Sequence, residues 1–450
     1  MRSPRLALGA ALVGLMAPLA VVASSPALAT APSAAPASSQ VSQIAPVAAP
    51  KKKPGATKKK KAGFTPPNGV LFSDPMIAGQ NRNILGRVIR TIRNTAKGQT
   101  IRVVVWNYDD RPVTNALLDA DRRGVHVQVV VSGSVANPNW NRTQAQLNRN
   151  RKDKSFAVKC KGGCRSRTKI MHSKFITFSK VRKARNVSMF GSFNLTTPAG
   201  NRQWNDMITT RNPKMYNALV QTFQEYRRDK DIKGAYKVFN LGRNQITLYP
   251  SFGRNVIKAQ LQKVRCNATS SGRPTVVRIA IAGWFDAYGS DIAQQVRKLW
   301  DQGCNIRIIT TLAGRGVNQI LKNPRGRGPV PIRTLTYDPN NDGVPERYLH
   351  MKNIAIRGWF EGNPAANVVI TGSPNWSTRA QSSDEVLFRL TKANALTTAY
   401  INNTDRLFNG PWSTMRMAAS RTMLMRGASN FGGVPNLRTG ENVPKWFELN

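Results

Sequence analysis

Apolar and polar positions along this chain repeat in two similar blocks. Ile101-Arg102-Val103-Val104-Val105-Trp106 is a strand-like run, and Val277-Arg278-Ile279-Ala280-Ile281-Ala282 is another. A helical stretch follows each: Ala116, Leu117, Leu118 and Ala120 in one, Ile292, Val296, Leu299 and Trp300 in the other. Both stretches stop at a glycine, Gly124 or Gly303, as helices often do. A second strand comes next, Val125 to Val131 and Asn305 to Thr310. Leu71 precedes Arg102 by 31 residues, and Leu248 precedes Arg278 by 30. Strand, helix and strand with short joins predict a βαβ unit. The pattern therefore predicts two α/β lobes of one plan, over 64–245 and 246–412.

The chain ends read differently. Arg2 and Arg5 precede a mostly apolar run from Leu6 to Val22, and Ala27-Leu28-Ala29 is a small-x-small site. This predicts a secretory signal peptide over 1–29 and an extracellular protein. No later run reaches the ~18 apolar residues of a membrane span. Residues 30–63 are rich in Ala, Pro and Lys, which predicts a solvated, disordered tether. Residues 413–450, rich in Arg, Gly and Asn, form a C-terminal extension with no clear chemistry.

Composition sharpens the partner class. The 450 residues carry 68 Lys plus Arg against 22 Asp plus Glu, a net charge of +46. Only nine of those basic residues, and no acidic ones, precede residue 64, so the globular part itself carries +37. With 40% hydrophobic residues, the chain is no disordered polycation. The charge points to a polyanion or an acidic surface: a phospholipid membrane, nucleic acid or an anionic wall polymer. The four cysteines, Cys160, Cys164, Cys266 and Cys304, suit an exported chain with two disulfides. Cys160–Cys164 and Cys266–Cys304 are the expected pairs, each within one half. A four-cysteine zinc site is the competing reading, but the spacing lacks paired C-x2-C knuckles.

The third shared element carries the chemistry. Met171-His172-Ser173-Lys174 in the first half answers Leu349-His350-Met351-Lys352 in the second. Gly124 to His172 spans 48 residues and Gly303 to His350 spans 47. Each His-x-Lys leads through a further strand to a matched turn, Gly191-Ser192-Phe193-Asn194 and Gly372-Ser373-Pro374-Asn375. Carboxylates follow: Asp206, 34 residues after its His, and Glu385, 35 after its own. Two of the three histidines thus occupy one frame. The third, His126, has no Lys two residues on and reads as structural or exposed.

In these motifs the chain resembles the phospholipase D superfamily, over most of residues 70–410. The resemblance implies two α/β/α lobes with mixed sheets, related by a pseudo-twofold axis within one monomer. Their motifs would meet in one site that cleaves phosphodiesters without metal or cofactor. It further implies His172 as nucleophile and His350 as general acid, with the order open to reversal in so symmetric a chain. Lys174, Lys352, Asn194 and Asn375 would hold the phosphate oxygens. Ser192, Ser373 and Trp376 are expected at the substrate, and Asp206 and Glu385 as orienting partners, one for each histidine. The expected function is a secreted phospholipase D, with a nuclease of the same superfamily or an inactive wall-polymer binder as alternatives. One departure stands out. The family's Asp, seven residues after the histidine, is Ser179 in one copy and Arg357 in the other. An odd offset along a strand points away from the His and Lys face, so both positions are expected to lie outside the reacting centre.

Overall fold

The computed structural model describes residues 63–414 except 151, 167–169 and 268, together with the short antiparallel pair Val434–Pro435 and Asn442–Val443. The expected leader and tether, and all else after residue 414, lie outside the described residues.

The crossover helices start where local chemistry lets them. Asp110 accepts the Val113 amide at 3.0 Å and caps Arg111–Arg122, with Pro112 in the first turn. Such a cap contributes ~1 kcal/mol. The helix buries Val113, Ala116, Leu117 and Ala120, one face at helical spacing. In the second lobe Asp286–Asp301 does the same with Ile292, Val296 and Leu299. Each helix packs on the strands it connects, Thr100–Val105 with His126–Val131, and Val276–Trp284 with Asn305–Ala313. Both strand pairs are parallel, as a right-handed βαβ unit requires.

Both sheets are mixed. The first has seven strands in the order Gly69–Phe72, Asp206–Thr210, Ala184–Gly191, Phe175–Val181, Thr100–Val105, His126–Val131 and Phe156–Lys159. The second starts with the short strands Gln203–Trp204 and Arg347–Leu349 and continues through Ile332–Tyr337, Asn305–Ala313, Val276–Trp284, Lys352–Phe360, Asn363–Gly372, Val386–Thr391, Asn244–Leu248 and Lys237–Leu241. The central order is the same in both: two parallel strands, then the strand after His-x-Lys, then the strand ending in Gly-Ser. This is the two-lobe α/β plan that the pattern predicted.

The lobe boundary falls earlier than residue 245. Lys237–Leu241 pairs antiparallel with Asn244–Leu248, and that strand pairs with Val386–Thr391. The hairpin therefore belongs to the second sheet, and the first lobe ends with the helix Pro213–Tyr226.

Each lobe has its own core between sheet and helices. A third cluster joins them, with Val104, Phe175 and Ile208 from the first sheet against Ala355, Val369 and Phe388 from the second. Phe190 stacks on Phe388 with ring centroids 3.8 Å apart. An aromatic pair of this kind adds about 0.5–1.5 kcal/mol beyond its buried area. Both disulfides form as expected, Cys160–Cys164 and Cys266–Cys304.

Candidate active site

Two backbone exchanges bring the motifs together. Met171 forms a bridge with Asp384, and the His172 amide donates to the Asp384 carbonyl at 2.9 Å. Symmetrically, Leu349 pairs with Trp204 in the short strand Gln203–Trp204, and the His350 amide donates to the Trp204 carbonyl at 2.9 Å. Each histidine is thus seated beside the other lobe. The residue that follows the bridge partner becomes the partner of the ring.

For His172 that residue is Glu385. Both carboxylate oxygens lie 2.9 Å from Nδ1. For His350 it is Asn205, whose Oδ1 lies 2.8 Å from Nδ1. Sequence spacing pointed to Asp206, and this is corrected. The matching backbone bonds locate the error: Ser192 donates to the Asp206 carbonyl as Ser373 donates to that of Val386. Asp206 is therefore the counterpart of Val386, and Asn205 that of Glu385. The Asp206 carboxylate instead accepts from Thr371 Oγ1 at 2.7 Å and from the Tyr400 hydroxyl at 2.5 Å. Burial, and then Asp206, push the Tyr400 phenol well above its usual pKa. Asp206 joins the lobes and does not orient a histidine.

The two lysines are held alike. Lys174 Nζ donates to the His172 carbonyl at 2.7 Å, and Lys352 Nζ to that of His350 at 2.7 Å. Both ammonium groups are buried. Burial first, then Lys174, Lys352, His350 and Arg379, hold the His172 pKa well below its ordinary value. The ring is therefore neutral near pH 7. With its Nδ1–H directed at Glu385, the lone pair lies on Nε2, which has no hydrogen-bond partner. Trp106 packs edge-on against His172 at 5.2 Å and lies 5.5 Å from Lys174 Nζ. Tyr348 packs edge-on against His350 at 6.4 Å.

Asn194 and Asn375 are buried at the ends of the matched turns. Asn194 Oδ1 accepts from the Asn107 amide at 3.3 Å, and Asn375 Oδ1 is buried with no hydrogen-bond partner. Both serine hydroxyls are engaged within the protein. Ser192 Oγ donates to Asn205 Oδ1 at 2.9 Å and accepts from the Asp206 amide. Ser373 Oγ accepts from the Val386 amide at 2.9 Å. Both hydroxyls pin the turn to the next strand. The preceding glycines serve the same contact, since a Cβ on Gly191 or Gly372 would run into the carbonyl of Asp206 or Val386. Trp376 is also corrected. It is buried, packs edge-on against Trp284 at 4.6 Å and belongs to the second core.

A further layer escaped the sequence reading. Asp384 Oδ2 accepts the Arg165 amide at 2.8 Å, and burial raises its pKa to about 6. Arg165 itself is buried, paired with Glu225 at 2.8 Å and bonded to the Tyr249 and Ala235 carbonyls. This ties the Cys160–Cys164 loop to the segment that bears Glu385. The only signal in the sequence was Asp384 standing beside Glu385.

Ser179 and Arg357 lie away from the centre, as strand parity predicted. Ser179 accepts the Thr100 amide at 2.9 Å and donates to Gln99. Arg357 is exposed and reaches Asn367 and Thr398. His126 is partly exposed at the start of its strand. Among the described residues, no group of three or more His, Cys, Asp or Glu is placed to hold a metal ion. No described helix is long and apolar enough to cross a membrane.

Comparison with known proteins agrees with this geometry. The family model described as "Cardiolipin synthase, PLD-like domain" matches residues 88–227, which include the first His-x-Lys. The fold is similar to that of phosphatidylserine synthase from Haemophilus influenzae Rd KW20, at TM-score 0.52 and 12% identity, over 77% of this chain and 87% of that one. It is also similar to polyphosphate kinase from Porphyromonas gingivalis, at TM-score 0.50 and 12% identity, over 76% of this chain. This chain spans about half of that kinase, 51% of its length. No curated protein matches the sequence.

Proposed function

We propose that this chain, whose residues 88–227 match a PLD-like domain model, is a phospholipase D-like exported phosphodiesterase that releases phospholipid head groups without a metal ion. The observation that carries the reading is the crossed pair, His172 on Glu385 and His350 on Asn205, each with its lysine. The names of the two lipid synthases, one a family description and one a structural neighbour, favour a lipid over a nucleic acid.

In the first step, His172 Nε2 attacks phosphorus and the bond to the head-group oxygen breaks. His350, as imidazolium, gives its Nε2 proton to that oxygen. Glu385 stabilises the positive charge on the phosphorylated ring of His172. Lys174 and Lys352, with Asn194 and Asn375, offset charge on the nonbridging oxygens. In the second step His350 takes a proton from water, the hydroxyl attacks phosphorus, and the P–N bond breaks. An alcohol in place of water gives transfer. The low dielectric around these buried groups strengthens each of these interactions.

The test is an assay in EDTA of the chain from residue 30 onward against phosphatidylcholine, phosphatidylglycerol and plasmid DNA. Head-group release is expected, and it should be lost in both His172→Ala and His350→Ala. Nicking of DNA with intact lipid would contradict the reading in favour of a nuclease. Binding of polyanions with no turnover would favour a wall-polymer binder.

A further inference from the structure

The two halves of the site differ at one atom type. Nδ1 of His172 meets a carboxylate, whereas Nδ1 of His350 meets the amide of Asn205. The orientation of that amide is fixed by its other contacts. Its Nδ2 donates to Gln203 Oε1 at 3.1 Å and to the Ala199 carbonyl at 3.4 Å, and its Oδ1 also accepts from Ser192 Oγ at 2.9 Å. Gln203 is fixed in turn by the Tyr348 hydroxyl at 2.5 Å. The oxygen therefore faces His350, and the ring must place a proton on Nδ1. Asn205 holds the same tautomer as Glu385 does but supplies no negative charge.

We propose that Asn205 is a positioning residue that lowers the basicity of His350, committing this ring to proton delivery and leaving the phosphoenzyme to His172. This rests on the phosphodiesterase reading above. A carboxylate on an imidazolium forms a charge-assisted bond roughly twice as strong as a neutral one. An amide oxygen stabilises the imidazolium far less, so the Nε2 proton leaves more readily. Lys352 Nζ donates to the His350 carbonyl and the Tyr348 ring packs edge-on against His350, while His350, Lys174, Lys352 and Arg379 together act on the His172 ring. Glu385 is engaged by His172, and Asp206, next to Asn205 in the chain, by Thr371 and Tyr400. A phosphorylated ring carries its charge until the second step, and of the two histidines His172 has the carboxylate to support it. A proton donor needs only to part with its charge, and His350 is built for that.

The experiment replaces the amide by a carboxylate, Asn205→Asp, with Asn205→Glu as a second variant that copies the other lobe. The chain has three histidines, so ring resonances in NMR titrations are assignable with single His substitutions. The His350 pKa is expected to rise by about one unit in the variants, a tenfold change equal to about 1.4 kcal/mol. The alkaline limb of kcat/KM should move up with it for an alkyl leaving group. It should stay in place for a p-nitrophenyl ester, whose leaving group needs no proton. An unchanged His350 pKa in a folded variant overturns the proposal. So does a limb that moves equally for both leaving groups. The titration decides even if no substrate turns over, which would count against the phosphodiesterase reading alone.

Discussion

Ser179 and Arg357 stand where the family's motif has an aspartate, and neither reaches the reacting rings. Seven residues of strand span roughly 23 Å, more than any side chain crosses. Ser179→Ala is therefore expected to keep most of the activity, with a small loss of stability from the bond to Thr100. A 100-fold fall in kcat/KM, or about 2.7 kcal/mol of barrier, would contradict the parity argument. At this scale the histidines, lysines and turn asparagines were legible because they recur in register. Asn205 was not. The chain offers a carboxylate one place further on, and counting forward from each histidine favours it. Only the backbone bonds of Ser192 and Ser373 show which residues correspond. The bonds of the serines to the next strand were not legible either, because a hydroxyl suits a phosphate or a neighbouring amide equally well.

Between residues and the whole chain, the βαβ units were legible from apolar spacing and helix stops. The hairpin Lys237–Leu241 with Asn244–Leu248 was not, because the sequence of its first strand, Lys237-Val238-Phe239-Asn240-Leu241, does not alternate apolar and polar residues. That cost eight residues in the lobe boundary, from 245 back to 237. The disulfides separate two kinds of support. Cys266–Cys304 closes a stretch of 38 residues in the second lobe, away from the histidines. Chain entropy assigns it ~4 kcal/mol. Replacing both cysteines with serine is expected to lower Tm clearly and leave kcat near its wild-type value. Cys160–Cys164 closes only four, for ~2 kcal/mol. It holds the loop that bonds Asp384 beside Glu385. Its double serine variant should lose a larger share of kcat than of stability. Thermal unfolding and steady-state kinetics on the two variants check the contrast, and a reversed order would contradict it.

For the molecule as a whole, the crossed backbone exchange matters most. Neither lobe holds a complete site, since His172 takes its carboxylate from the second lobe and His350 its amide from the first. The sequence showed the duplication but not the exchange, which arises from bridges between residues some 145 and 213 positions apart. The net charge of +46 says less than it first suggests, because an anionic lipid surface and a nucleic acid answer it equally well. The central claim is that His172 carries the phosphoryl group while His350 moves the proton. Rapid quench into alkali, which preserves phosphohistidine, followed by peptide mass spectrometry tests it most directly. With a p-nitrophenyl phosphodiester, His350→Ala should accumulate an adduct on the peptide containing His172, and His172→Ala should show none. An adduct on His350, or turnover with no adduct at either ring, would contradict the account.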